Sequence, residues 1–375
     1  MFHVANWQKT ESETGMEKPN QDVSGSPSMV RCEATDGFKQ WMANYGGSIV
    51  FTTRRSGKLC LLGWDGRLVT LLQRQMDLPM GVKVFRDQIL VSTRSELMQF
   101  ADAPLLAHDY NMKLRGEYDA CYLPRASWFV GELGTGDILR DKDDLLFVNP
   151  RFSCVARPSF KYNFEPVWKP AFISELAPED RCFLSGAASV EGQLAYVTAY
   201  SASNEPFGWR KAAMTDGVLI DARKNEIILE GLMRPHSPTW YKECLWFLNS
   251  GRGQLCVMHP GTCERKTVSY LPGIARGLAF WGNYAIVGLS SVTPNAENYS
   301  QIRKMNNQTF CGVVVVNILT GAVEGMFVFE QGCDEVFDLD LIPGTHRAAL
   351  LTPNQPKCYD ALTMENLAWW VQSND

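Results

Sequence analysis

The sequence has no apolar run approaching the ~18 residues that a bilayer-spanning helix needs. Its first stretch, Met1–Ser28, is polar and lacks the basic-then-apolar order of a secretory signal. Lys and Arg form no cluster and the net charge is −5, which argues against nucleic-acid and anionic-membrane partners. No C-x-x-C pair occurs, which speaks against a zinc knuckle. There is no G-x-S-x-G elbow, no H-E-x-x-H helix, no phosphate-binding G-x-x-x-x-G-K-[ST] loop and no dinucleotide G-x-G-x-x-G in a βαβ setting. Histidine is scarce, with five in 375 residues. The eleven cysteines are odd in number and scattered through apolar patterns, where a free thiol acts as a small buried hydrophobe. A reducing, cytoplasmic setting is expected from them. The sequons at Asn298 and Asn307 would then be accidental.

What the sequence does contain is a likeness to itself. Residues 49–91 fall on 245–287 without a gap: Phe51 on Phe247, Gly57 on Gly253, Leu59-Cys60 on Leu255-Cys256, Gly81 on Gly277 and Val91 on Val287. Short strands in such an internal repeat indicate a stacked or radial β array, most often a propeller. A phrase made of a short strand, a polar turn and a Val/Leu/Ile-rich strand begins near Gly81, Asp137, Gly186, Ser237, Gly277 and Val336. These starts lie 40 to 59 residues apart, the scale of propeller blades. Outer hairpins are read at 217–222 with 226–232 and at 312–318 with 322–329.

The expected fold is therefore an all-β propeller of six or seven blades, with the ring closed by strands from both ends. Segment 49–75 holds three strands. It either forms a blade of its own, giving seven, or completes a hairpin at 336–352, giving six; seven is favoured. Residues 36–375 are read as one propeller domain. Residues 1–35 are read as a disordered or loosely attached arm. Segments 157–181, 201–216 and 291–310 are too long for hairpin turns and mark the loops where function concentrates.

Several phrases carry a family likeness: Val148-Asn149-Pro150-Arg151-Phe152-Ser153-Cys154, Ala177-Pro178-Glu179-Asp180-Arg181-Cys182, Arg234-Pro235-His236-Ser237-Pro238-Thr239-Trp240 and Ala275-Arg276-Gly277-Leu278-Ala279-Phe280. In this order they resemble a bacterial family of conserved hypothetical proteins, propeller-like and sometimes fused to tetratricopeptide repeats. The likeness covers about 36–355. It implies the fold and brings no established activity. This chain has Gly136, Phe183 and Ser185 where relatives tend to carry His, His and Asn, and it keeps His236. If those histidines form a polar or metal-binding ring in relatives, two members of it are missing here.

In a propeller the inner strands line a central channel, so the first polar residues of the phrases should converge on one mouth. His236, Arg276 and Glu335 are the candidates for chemistry: an acid/base, a substrate anchor and an orienting carboxylate. Asp137, Arg151, Ser185, Ser237, Trp240 and Asp338 are the accompanying ligand-contact candidates. The bland alternatives are a histidine bonded to a neighbouring blade, an interblade salt bridge at Arg276, acidic turns, and core packing for Trp240. No cofactor is expected, with Ca²⁺ on the carboxylates as the exception to test. The function expected is binding of a small anionic ligand, a peptide or a protein partner at the channel mouth. The alternative is a hydrolase, lyase or isomerase working there through His236.

Overall fold

The computed structural model describes residues 30–142, 144–292, 302 and 308–371. Residues 1–29 of the expected arm, most of insertion 291–310 with both sequon asparagines, Asp143 and 372–375 lie outside them. Six small sheets stand in a ring as a six-bladed β-propeller. Each of the six phrases supplies an inner strand: Val82–Phe85, Ile138–Asp141, Leu184–Val190, Pro235–Tyr241, Ile274–Trp281 and Asp338–Pro343. Each inner strand touches the next around the ring, and Ile274–Trp281 touches Asp338–Pro343.

The favoured count of seven gives way to six. Strands Gly47–Thr53, Lys58–Trp64 and Val69–Gln75 have no inner strand of their own, and Asp338–Pro343 supplies it. It pairs antiparallel from Thr52↔Asp338 to Gly47↔Pro343. The ring is thus closed by strands from opposite ends of the described chain, which leaves no open sheet edge at the seam. The expected hairpin at 336–352 does not form. Its second half, Ala348–Leu350, leaves the sheet and runs parallel to Ala120–Phe129 on the outer edge of blade 2. With the sheet completed by Asp338–Pro343 as blade 1, the others follow in chain order to blade 6, which starts at Ile274.

Two further elements were not legible as strands and loops. Residues 36–45 form a helix, capped by Thr35 and stopped by Gly46 in the left-handed region. Phe38, Trp41, Met42 and Tyr45 repeat at helical spacing and bury one face against blades 1 and 6. Residues Arg31–Ala34, at the inner boundary of the expected arm, add an outer strand to blade 6. Segment 157–181 is not all loop, since Glu165–Trp168 is the outer strand of blade 3.

The apolar core is divided into six wedges, one between each pair of neighbouring blades. Phe51, Phe147 and Phe247 are fully buried at the same place in blades 1, 3 and 5. Val91, Val197 and Val287 are fully buried in blades 2, 4 and 6. Blade alternation therefore accompanies the 196-residue likeness, which carries blades 1 and 2 onto blades 5 and 6. Hydroxyls staple neighbouring blades at the face where the inner strands begin. Ser92 donates to the Thr135 carbonyl at 2.7 Å, Ser185 to Pro235 at 2.6 Å, Ser250 to Ala275 at 2.6 Å and Ser290 to Val336 at 3.2 Å. Thr52 makes the same bond to the Met80 carbonyl. We call this face upper and its opposite lower.

Candidate functional site

The expected ring of polar residues separates into two layers. Asp137, Ser237, Trp240 and Asp338 line a channel cavity of about 220 Å³, together with Lys83 and Arg140. His236, Arg276 and Glu335 do not line it and form a second group. Side chains alternate along a strand, so neighbours such as His236 and Ser237 diverge. The strand pairing also slips between His236 and Thr239, and Ser237 has φ of 51°.

The channel layer begins with side-chain acceptors on odd blades that capture amides of the next blade. Asp338 accepts from Val82 N–H at 2.8 Å, Asp137 from Ala187 N–H at 3.0 Å, and the Ser237 hydroxyl from Gly277 N–H at 3.0 Å. The second oxygen of each aspartate accepts from the following residue's amide, Leu339 or Ile138, at 2.9 Å. Even blades answer with glycine. A Cβ at Gly81 would lie 3.1 Å from Asp137 N, one at Gly186 2.6 Å from Pro238 Cδ, and one at Gly277 2.5 Å from Leu339 N. The strands pinch together here because three side chains are absent.

Lys83 lies among these carboxylates, 3.4 Å from Asp340. Burial would depress its pKa, but Asp340, Asp137 and Asp338 overcome that and hold it raised. Burial pushes Asp137 up to about 6 against the pull of Lys83. Asp338 is pushed well above the carboxylate range, first by burial and then by Asp137. The aspartates therefore act first as brackets between blades, with their oxygens already engaged by amides. Among the described residues, no group of three or more His, Cys, Asp or Glu side chains is arranged to hold a metal ion.

The upper layer is built from arginines and aromatic rings. His236 is buried in the seam between blades 4 and 5. Its Nδ1 faces the Ser185 carbonyl at 3.2 Å, which can only accept, so Nδ1 carries the proton. Its Nε2 then accepts from the Tyr200 hydroxyl at 2.5 Å. Burial and then the charge of Arg276, with a smaller push from Arg234, hold its pKa well below the usual histidine value. Both ring nitrogens are engaged by blade 4, so His236 is bonded to its neighbouring blade.

Arg276 stacks over Phe337 at 5.0 Å and stands 3.6 Å from Glu335. Glu335 also meets Arg55 at 3.7 Å and accepts from its backbone amide at 3.3 Å. Arg234 lies over Tyr200 at 4.5 Å and Trp209 at 4.9 Å. Phe183 stacks on Tyr200 at 4.4 Å and meets Trp209 at 4.8 Å. Phe183 therefore closes an aromatic box at the position where relatives were expected to carry histidine. Trp209 comes from segment 201–216, one of the three pattern-breaking loops. Tyr200, Arg234 and Arg55 were missed; only the Arg-Pro-His order at 234–236 could have signalled Arg234.

Asp180 joins this layer through Trp209, whose indole N–H donates to Oδ2 at 2.8 Å. Its other oxygen is buried without a hydrogen bond. Burial pushes the carboxyl up to about 6, while the indole and the charges of Arg210 and Arg151 oppose it. Arg151 belongs to this layer, and its carbonyl accepts from Asp180 N–H at 2.9 Å. The folded state holds a proton on Asp180 that the unfolded chain has lost, so stability falls as pH rises from about 4 to 6. Asp180→Asn should abolish that loss. Urea unfolding followed by tryptophan fluorescence should show the variant gaining on wild type by on the order of 2 kcal/mol between pH 4 and pH 7. Parallel profiles would contradict the assignment.

The curated proteins include no match to this chain. Residues 36–351 match the family model described as a domain of unknown function, DUF4915. That span runs from the first helix to the last strand of the ring, and the chain belongs to the DUF4915 family.

Proposed function

We propose that the protein is a binding propeller whose upper face holds a small anionic ligand, a carboxylate or phosphate, between Arg276 and Arg234. One arrangement carries this reading: Arg234 and Arg276 are held over aromatic rings beside buried His236, which burial first and their charges second keep uncharged, and Arg276 stands 3.6 Å from Glu335. A positive field of that kind, in a setting of low dielectric, favours an arriving anion. The aromatic box keeps Arg234 in place by stacking, and Phe337 does the same for Arg276, so little side-chain freedom is lost on binding. Arg151, whose charge reaches Asp180, adds to this field, whereas Arg55 is already paired with Asp334 at 3.6 Å and Glu335 at 3.7 Å. The fully engaged imidazole favours a positioning part for His236 over acid/base work. The absence of disulfides among the eleven cysteines supports a reducing, cytoplasmic setting.

The test is a calorimetric and thermal-shift screen of carboxylates and phosphate monoesters. Wild type should be stabilised by at least one anion, and Arg276→Ala should weaken that binding roughly 10- to 100-fold. Arg140→Ala, on the channel side, should leave it unchanged. If no anion binds, or if Arg140→Ala abolishes binding while Arg276→Ala does not, the upper face is not the site.

A further inference from the structure

Residues Ala361–Met364 and Leu367–Trp370 form a two-stranded hairpin beyond the span matched by the family. An isolated hairpin is marginal in water. This one is anchored by its inner side. Ala361, Ala368 and Trp370 join a separate apolar cluster with Leu106, Cys121 and Leu351 on the outside of blade 2. The Trp370 indole donates to the Leu106 carbonyl at 3.2 Å, and Lys357 lies over the Trp370 ring at 4.4 Å. Arg125 donates to the Thr363 hydroxyl at 2.7 Å.

The outer side of the same hairpin carries Leu362, Met364, Leu367 and Trp369, with Val371 just past its second strand. These are 52, 62, 49, 47 and 45% exposed. Leu362 stands directly opposite Trp369, and Met364 opposite Leu367. Strand alternation thus gives one unbroken apolar face with no charged side chain among the paired residues. Nothing among the described residues covers it.

We infer that this face is the contact through which two copies of the chain pair about a two-fold axis. The argument for a second copy rests on area and on the make-up of the face. The five exposed side chains present roughly 500 Å², as large as the biggest apolar patch a typical monomer carries. Doubling this in an isologous pair gives about 1,000 Å², the threshold for a biological contact. Leu105, 62% exposed on the short helix that packs on the second hairpin strand, adds to it. The face holds no charge for an oppositely charged partner to read, and an uncharged row of apolar side chains is complementary to itself. Because the inner side is already pinned, pairing orders no new backbone.

Sedimentation equilibrium between about 1 and 100 μM tests this. Wild type should be a dimer over most of that range. Leu362→Glu and Trp369→Glu should each be monomeric with an unchanged melting temperature measured below the dimer dissociation range. Phe129→Glu, which removes an exposed ring on blade 2 away from the hairpin, should stay dimeric. Should the glutamate variants misfold, Met364→Cys under mild oxidation should give an intermolecular disulfide dimer in the otherwise native chain. A wild type that is monomeric throughout overturns the proposal, including one whose hairpin proves to hold a different protein or residues 1–29. So does a dimer that survives both glutamate substitutions.

Discussion

Removal of residues 337–375 is expected to leave a chain that no longer melts cooperatively and that aggregates at micromolar concentration. Removal of 356–375 alone should preserve a cooperative transition at a somewhat lower temperature. The difference lies in the inner strand of blade 1. Asp338–Pro343 pairs with Gly47–Thr53 over six residues and touches blades 2 and 6. Leu339, Leu341 and Ile342 on it are buried. At about 2 kcal/mol for each, their burial amounts to roughly 6 kcal/mol, within the range of a whole domain's net stability. The same strand brackets blade 2, since Asp338 and Asp340 accept from the Val82 and Val84 amides at 2.8 and 2.9 Å. Without it, Ile49, Val50 and Phe51 face an open edge, and the backbone of Gly47–Thr53 becomes a template for other chains. The shorter deletion costs the hairpin and its cover over Leu106 and Leu351, which lie outside the ring. Circular dichroism and calorimetry on both truncations settle the matter. A monomeric 1–336 fragment with a sharp, wild-type-like melt would refute the ring-closure account.

Gly277→Val is expected to destabilise the protein by more than about 3 kcal/mol, against about 1 kcal/mol for Gly282→Ala. The two glycines share a left-handed backbone, with φ of 73° and 59°. That conformation costs an L-residue roughly 1–2 kcal/mol. They differ in what a side chain would meet. At Gly282 nothing lies within 4 Å of a Cβ. At Gly277 a Cβ would stand 2.5 Å from Leu339 N, 2.9 Å from Asp338 C and 3.0 Å from Asp338 Cα. These are backbone atoms of the closing strand, held from both sides, so they cannot rotate away. The clash would also pull the Gly277 amide off the Ser237 hydroxyl, leaving a buried donor without its partner. Chemical unfolding of both variants gives the comparison. Equal losses would mean that the closing strand yields, and that the tight passage between odd and even blades is not a structural requirement.

The inner and second strands were legible because their signal is local. A Val/Leu/Ile run such as Ile89–Ser92 or Leu245–Asn249, set off by a polar turn, reads as a strand wherever it occurs. The helix at 36–45 has an equally local signature in the spacing of Phe38, Trp41, Met42 and Tyr45, but it stands once at the head of a β array and belongs to no repeating phrase. The site was legible only in outline. The starts of the phrases lie around one channel, but in two layers and not at a single mouth. The separation of His236 from Ser237 depended on a slip in strand pairing that no composition rule foretells. The aromatic box unites Phe183, Tyr200, Trp209 and Arg234 through a loop excursion, and its contacts belong to the folded chain alone.

By itself, then, the sequence determined a propeller of short antiparallel strands and where each blade begins, since periodicity of two and turn chemistry act over a few residues. Only the tertiary structure decided that the blades number six. The inner strand that completes the first sheet comes from nearly 300 residues away, and its partner is chosen by the geometry of a closed ring. The same reason divides the polar residues between two layers: which side of a strand faces the axis is settled when all six blades pack, and by nothing nearer in the chain.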